Sequence, residues 1–348
     1  MARSLIFLSF AAAFVSCTSK KNTLSHAYQS VMVDTLLNSK RTIRAMVIEK
    51  ETIWYAADNG CFGYYNISNN EKFENKIDAG NNAEFRSIAK TSKDIFLLNV
   101  GNPAKLYQIS KSSKQPELVY QEDHEKVFYD SMQFWNELEG IAVGDPLEDC
   151  LSIITTRDGG DSWQKTSCPL LPKVVSGEAA FAASNTNIVI KKNKTWIVSG
   201  GKKARIFYSP DKGRSWSVFE TPITQGLEMT GIFTADFYNT KMGFIAGGNY
   251  EIPNQNFNNK AITADGGRTW RLTAQHQGFG YASCVQYVPE SSGRQLVCVG
   301  ATGLQYSSDS GENWIQLLDN KDLYTIRFLK PDTAVAAGRN IMLLLHFK

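Results

Sequence analysis

The sequence is short of the features that mark several function classes. Its 37 basic and 34 acidic residues leave a net charge of +3 over 348 residues, with no basic stripe and no polyacidic tail. The electrostatic footprint of a nucleic-acid binder is therefore missing, and nucleic acid is excluded as the default partner. Only four histidines occur, His26, His124, His276 and His346, and they show no ligand spacing with one another or with the six cysteines. No metal and no cofactor are expected. There is no Cys-x-x-Cys, and no Gly-x-Gly-x-x-Gly between a strand and a helix, which argues against a dinucleotide-dependent oxidoreductase. Charged residues make up only 20% and aromatics 11%, which excludes extended disorder and predicts a folded chain with a large core. Beyond Val15 no apolar run is long enough to cross a bilayer, so the body is expected to be soluble.

The start of the chain reads as an export signal. Arg3 precedes an apolar run, Leu5 to Val15, that is too short to span a membrane and ends in Ser16-Cys17. Phe14-Val15-Ser16-Cys17 resembles a bacterial lipobox, which implies that residues 1–16 are removed and that Cys17 is lipidated. An ordinary cleaved signal, with Cys17 incidental, is the alternative. Residues 17–27, with polar Thr18-Ser19-Lys20-Lys21-Asn22, would form the tether and residues 28–348 the folded domain. The implied location is the cell envelope, at the outer membrane facing the periplasm, with membrane contact through the anchor alone.

Internal repeats decide the expected fold. Four segments match Ser/Thr-x-Asp-x-Gly-x-x-Trp: Thr156 to Trp163, Ser209 to Trp216, Thr263 to Trp270 and Ser307 to Trp314. Their aspartates, Asp158, Asp211, Asp265 and Asp309, recur every 44 to 54 residues, near the period of propeller blades. Two eroded copies lie upstream, Asn66 to Phe73 and Ile109 to Pro116, with Ser68 and Lys111 in place of the aspartate. Asp accepts hydrogen bonds from its own turn and Gly supplies positive φ, so these aspartates are expected to staple turns rather than act as acids or bases. Short apolar strands ending in Gly, such as 140–144, 243–247 and 296–300, suit strands covered on both faces. The tail from Tyr324 to Phe347 holds three strands, and Tyr28 to Leu36 can supply a fourth. The expectation is an all-β, monomeric, seven-bladed β-propeller closed by its N-terminal strand.

These boxes, together with Thr42-Ile43-Arg44-Ala45 and Tyr324-Thr325-Ile326-Arg327, resemble the Asp-box (BNR) propellers, in particular the photosystem II stability/assembly-factor type. Phe128-Tyr129-Asp130-Ser131-Met132, Gly144-Asp145-Pro146, Gly177-Glu178-Ala179-Ala180-Phe181 and Gly247-Gly248-Asn249-Tyr250 resemble a Bacteroidota lipoprotein branch often labelled "oxidoreductase". The resemblance implies a scaffold that binds other proteins, and the expected partner is a protein or an anionic glycan. Sialidases share the box, so a glycoside hydrolase acting on acidic glycans is the competing class.

Aligning the innermost strands places Arg44, Arg86 and Arg327 at one repeat position, where three guanidiniums would hold a carboxylate or sulfate. Asp130 and Glu178 fall near the same position, so the two arcs can instead neutralise each other across the axis. Tyr250, at the head of a polar insertion, is a further candidate contact, and Tyr250-Glu251 with Asp58 or Asp145 would be the catalytic set of a hydrolase. An arginine followed by Ile-Pro, expected near a sialidase N-terminus, is replaced by Arg44-Ala45-Met46. Cys150 with Cys168, and Cys284 with Cys298, lie symmetrically about turns and are candidate disulfides, with burial as unpaired thiols the alternative; Cys61 is left over.

Overall fold

The computed structural model describes residues 27–78 and 83–348. The signal segment, Cys17, His26 and all of the tether except Ala27 lie outside the described residues. The described chain is built of antiparallel strands, with no α-helix and a single 3₁₀ turn at Cys168–Leu170.

The strands pair into six sheets. Each sheet descends from an axis: its innermost strands are Phe85–Lys90, Tyr129–Phe134, Ile188–Lys191, Thr230–Phe237, Ala282–Tyr287 and, on one sheet, both Leu323–Lys330 and the second half of Val31–Glu49. The count of seven blades is thereby corrected to six. The reason is the 19-residue strand Val31–Glu49. Its first half pairs with Met342–Phe347, as the ring-closing strand was expected to do, and its second half pairs with Thr52–Ala57. Although its register shifts near Leu36, between Asn38 and Thr42 and at Arg44, it remains one strand paired along both halves, so the tail and the first repeat merge into one six-stranded sheet.

The apolar runs are the second strands of their sheets. Gly140–Gly144, Gly243–Asn249 and Leu296–Gly300 are buried at every residue, because a neighbouring sheet covers each face. The outer strand Lys72–Lys76 is mostly exposed. The core sits between sheets: Phe96 and Leu98 pack on Met132, Ala142 and Trp163 of the next, and Trp163 meets Phe96 and Phe134 edge-on at 6.3 and 5.7 Å. Losing such a ring costs about 3–5 kcal/mol.

The turns before these tryptophans share one hydrogen-bond pattern. Asp158, Asp211, Asp265 and Asp309 accept the backbone N–H of the residue four positions on at 3.1, 2.8, 3.0 and 2.9 Å. The hydroxyl two residues earlier accepts the N–H of the glycine at 2.8–3.0 Å. Burial pushes the Asp158 carboxyl up, but its hydrogen bonds from Ser162, Thr156 and Gly160 outweigh this and hold it at about 2. In the eroded turn at 66–73, Asn66 stands at the hydroxyl position, and its Oδ1 accepts Ser68 N at 3.0 Å and Asn69 N at 3.3 Å.

Gly160 answers two demands at once. Its φ is +100°, and a Cβ there would stand 2.2 Å from the Phe96 ring of the adjacent sheet. Gly160→Ala is expected to destabilise the fold by about 2 kcal/mol or more, from strain and overpacking together. Urea denaturation checks this, and an unchanged midpoint would show that the inter-sheet contact is slack.

Candidate functional site

Each innermost strand but one carries an irregularity near its start. The register jumps between Ile43 and Ala45, Phe85 and Ser87, Ile232 and Thr234, Ala282 and Cys284, and Leu323 and Thr325. On Tyr129–Phe134 the jump falls at Asp130. A bulge leaves its extra residue unpaired and re-aims it. The re-aimed residues are Arg44, Arg86, Asp130, Phe233, Ser283 and Tyr324, and they surround the axis near one end.

A cavity of about 410 Å³ opens there, lined by Arg44, Arg86, Asp145 and Glu228 and walled by Phe128, Phe181, Phe233, Tyr250 and Tyr281. Residues further along the same strands, among them Ile48, Asp236, Gln286 and Arg327, border a second cavity of about 370 Å³. The four-residue step from Arg44 to Ile48 puts the two openings roughly 13 Å apart along the axis.

The space between them is filled. Residues 181–187 leave their sheet and cross the axis, bonding to inner strands on all sides. Asn185 Nδ2 donates to Ile88 O at 2.8 Å and its Oδ1 accepts Met132 N at 2.9 Å. Ser184 Oγ donates to Ser283 O at 2.6 Å, and Thr186 Oγ1 meets Thr234 Oγ1 at 2.8 Å. Ser184, Asn185, Thr186 and Asn187 are all buried. The bonded side chains of Ser184, Asn185 and Thr186 brace the crossing, while the buried Asn187 amide has no partner among the described residues; the crossing makes the two cavities separate chambers.

The first chamber is electrostatically unbalanced. Arg44 stacks over the Tyr324 ring at 4.2 Å and reaches Ala183 O at 3.4 Å. Burial, then the neighbouring Arg86 guanidinium, pulls its pKa down. Arg86 pairs with Glu84 at 2.8 Å, and Nε of each arginine is buried with no partner among the described residues. The two guanidiniums thus share one direct carboxylate. Below them Asp130 is fully buried, with both oxygens unpartnered among the described residues. Burial first, and then Asp145, pushes its pKa well up, against the pull of Arg86. Asp145 accepts Ala180 N at 2.9 Å, yet burial still raises it to about 7.

An anion bound in this chamber would meet a pH-dependent competitor. Below about 7 Asp145 holds its proton; above it, ionisation sets an internal carboxylate in competition with an incoming anion. Affinity for an anion is expected to fall several-fold between pH 6 and pH 8, and Asp145→Asn is expected to flatten the slope. Titration calorimetry at several pH values checks this, and a flat profile in the unaltered protein would remove the carboxyl pair from the site.

Comparison with solved structures places the architecture. One, described as "YCF48 bound to D1 peptide", superposes with a TM-score of 0.64 at 14% identity, covering 92% of this chain and 97% of its own. YCF48 from Cyanidioschyzon merolae gives 0.65 at 11%, covering 90% and 98%, and the WD40 repeats of RRP9 give 0.65 at 10%, covering 93% and 99%. The fold is a β-propeller. At these identities the likeness concerns fold alone. No protein-family model and no curated protein sequence matches the chain.

Within this propeller the sequence-predicted residues separate. Arg44, Arg86 and Tyr250 line the first cavity, where Tyr250 is half exposed and stands edge-on to Tyr281 at 5.1 Å. Arg327 does not join them, because the bulge position on its strand belongs to Tyr324, three residues earlier. Its Nη1 instead donates to Thr325 Oγ1 at 3.0 Å and Ile326 O at 2.8 Å, and its Nη2 donates to Ser184 O at 3.1 Å. Glu178 faces none of these arginines. It lies on the short strand Glu178–Ala179, accepts Arg205 Nε at 3.0 Å and Ser199 Oγ at 2.6 Å, and so is neutralised locally. Asp58, with a buried oxygen that has no partner among the described residues, is not among the residues lining the first cavity.

The cysteines divide likewise. Cys150 and Cys168 form a disulfide, and Cys61, Cys284 and Cys298 are buried free thiols. The second pairing fails on register: the hairpin sets Cys284 opposite Val299 and Cys298 opposite Val285. The two thiols therefore enter different inter-sheet clusters. Among the described residues no three His, Cys, Asp or Glu side chains gather as metal ligands. Sequence reasoning missed Phe233 and Tyr281, which the repeat position and its flank carry, and the crossing segment, for which no repeat signal exists. It also missed Lys260, a fully buried lysine.

Proposed function

We propose that the protein is a non-catalytic binding scaffold whose propeller captures an anionic group of a partner, foremost an acidic segment of another protein, on Arg44 and Arg86. The observation that carries this reading is the first cavity: two partly buried guanidiniums with unpartnered Nε–H groups, one direct counter-charge and aromatic walls on which a chain can pack. A structural neighbour described as bound to a peptide makes a protein partner the first choice. An anionic glycan has the same chemistry and is the second. The lipobox-like Phe14-Val15-Ser16-Cys17 supports attachment to the cell envelope through Cys17, at the periplasmic side of the outer membrane.

The glycoside-hydrolase alternative is supported by Asp145, whose carboxyl at about 7 suits a general acid. It is weakened by geometry, since only two of its three arginines share a chamber. A screen of acidic peptides and acidic glycans against the mature domain, with mass spectrometry of every hit, tests both. Binding without cleavage supports the scaffold, cleavage establishes the hydrolase, and silence on both panels removes the proposal.

A further inference from the structure

The second chamber has its own charge imbalance. Lys191 and Arg327 both border it, and its one carboxylate is Asp236. That carboxylate is largely occupied: Oδ1 accepts Phe237 N and Oδ2 accepts Tyr287 N, both at 2.8 Å. Lys191 Nζ stands 3.7 Å from it, at the limit of an ion pair, and Arg327 makes no ion pair with any described residue. Neutral groups, the Ile326 and Ser184 carbonyls, the Thr325 hydroxyl and Cys284 Sγ, hold the Arg327 guanidinium in place, and its charge is offset only by the attraction of Asp236, with which it forms no ion pair. Its Nε meets no acceptor among the described residues. A fixed guanidinium with no ion-pair contact has lost its ordering entropy before any ligand arrives.

We infer that this second chamber is an independent binding site for a carboxylate carried on an aromatic or apolar body. Arg327 and Lys191 take the carboxylate, while Tyr238, Phe328 and Pro289 line the same cavity as a surface for the body. The volume of about 370 Å³ admits a small organic acid or one acidic side chain, and not a folded element. The crossing at residues 181–187 closes the chamber off from Arg44 and Arg86, so occupancy of one mouth does not require the other. This inference does not rest on the proposed function of the first mouth.

The test uses the mature domain carrying Arg44→Ala and Arg86→Ala, which silences the first mouth. Benzoate, its neutral counterpart benzamide, and a capped Tyr-Glu dipeptide amide are titrated calorimetrically. Benzoate or the dipeptide is expected to bind at least tenfold more tightly than benzamide, and the arm that binds identifies a free acid or a protein side chain as the source. Adding Arg327→Gln, or separately Lys191→Met, is expected to weaken that binding at least tenfold. Lys191→Met guards against a fold defect, because Lys191 does not brace the crossing. The inference is overturned if neither acid outbinds benzamide, or if both added substitutions leave binding unchanged.

Discussion

Replacing Arg44 and Arg86 together by alanine is expected to weaken capture of an acidic peptide by about 100-fold, while Arg327→Ala leaves it within about twofold. Charge-assisted hydrogen bonds contribute about 1.5–3 kcal/mol each, and two removed together cost about 3 kcal/mol or more, which is two decades in Kd. The contrast between the two substitutions is the informative part. A nonspecific electrostatic attraction would respond equally to any lost positive charge, whereas a chamber separated by the 181–187 crossing responds only to its own. Calorimetric titration of both variants, with thermal melts to show that the fold survives, checks this. Loss of binding in Arg327→Ala equal to that in the double variant would mean that the two chambers communicate.

Lys260→Met is expected to stabilise the protein by about 2–3 kcal/mol at neutral pH. Lys260 is fully buried. Its ammonium donates to Asn259 Oδ1 at 2.8 Å and lies over the Phe279 ring at 4.6 Å, but it forms no ion pair among the described residues. Burial lowers its pKa to about 8, against a nearby Cys298 that pulls the other way. A shift of that size from the ordinary 10.5 corresponds to about 3 kcal/mol of stability withheld whenever the group is charged. The sign follows from proton counting. Below about 8 both folded and unfolded chains hold the proton and the folded state bears the whole penalty. Between 8 and 10.5 only the unfolded chain holds it, so stability rises with pH and the advantage of methionine shrinks. An uncharged side chain of similar length removes the penalty, as replacement of buried charges by apolar residues commonly does. Urea denaturation of both proteins at pH 6 and pH 10 measures it. A methionine variant less stable at pH 6 would mean that the Asn259 and Phe279 contacts outweigh the desolvation.

The division between sequence and structure follows the range of the interactions. The turn staples and the buried second strands are local or periodic, so Asp158 and its counterparts and Gly140–Gly144 were legible in one dimension, and the missing outer strand of the tail pointed to Tyr28 to Leu36. The repeat also located Arg44, Arg86 and Asp130 together, since all three are bulge residues of their strands. It misplaced Arg327, because the similarity between Thr42-Ile43-Arg44 and Thr325-Ile326-Arg327 aligns segments whose bulges do not correspond: the bulge falls on Arg44 in one and on Tyr324, three residues before Arg327, in the other. In the hairpin of Cys284 and Cys298, a register one residue off the symmetric one sets Cys284 opposite Val299 and keeps the two thiols apart. The blade count failed where one strand, Val31–Glu49, serves two repeats at once, a property of hydrogen bonding between segments at opposite ends of the chain.

What the sequence determined by itself was the repeating all-β architecture, because that is written in spacing, turn chemistry and apolar alternation. What only the tertiary structure decided was the site: which bulged side chains share a chamber, that residues 181–187 fill the axis, and which charges are left without partners. Those depend on contacts between residues scores of positions apart, and no local pattern in the chain encodes them.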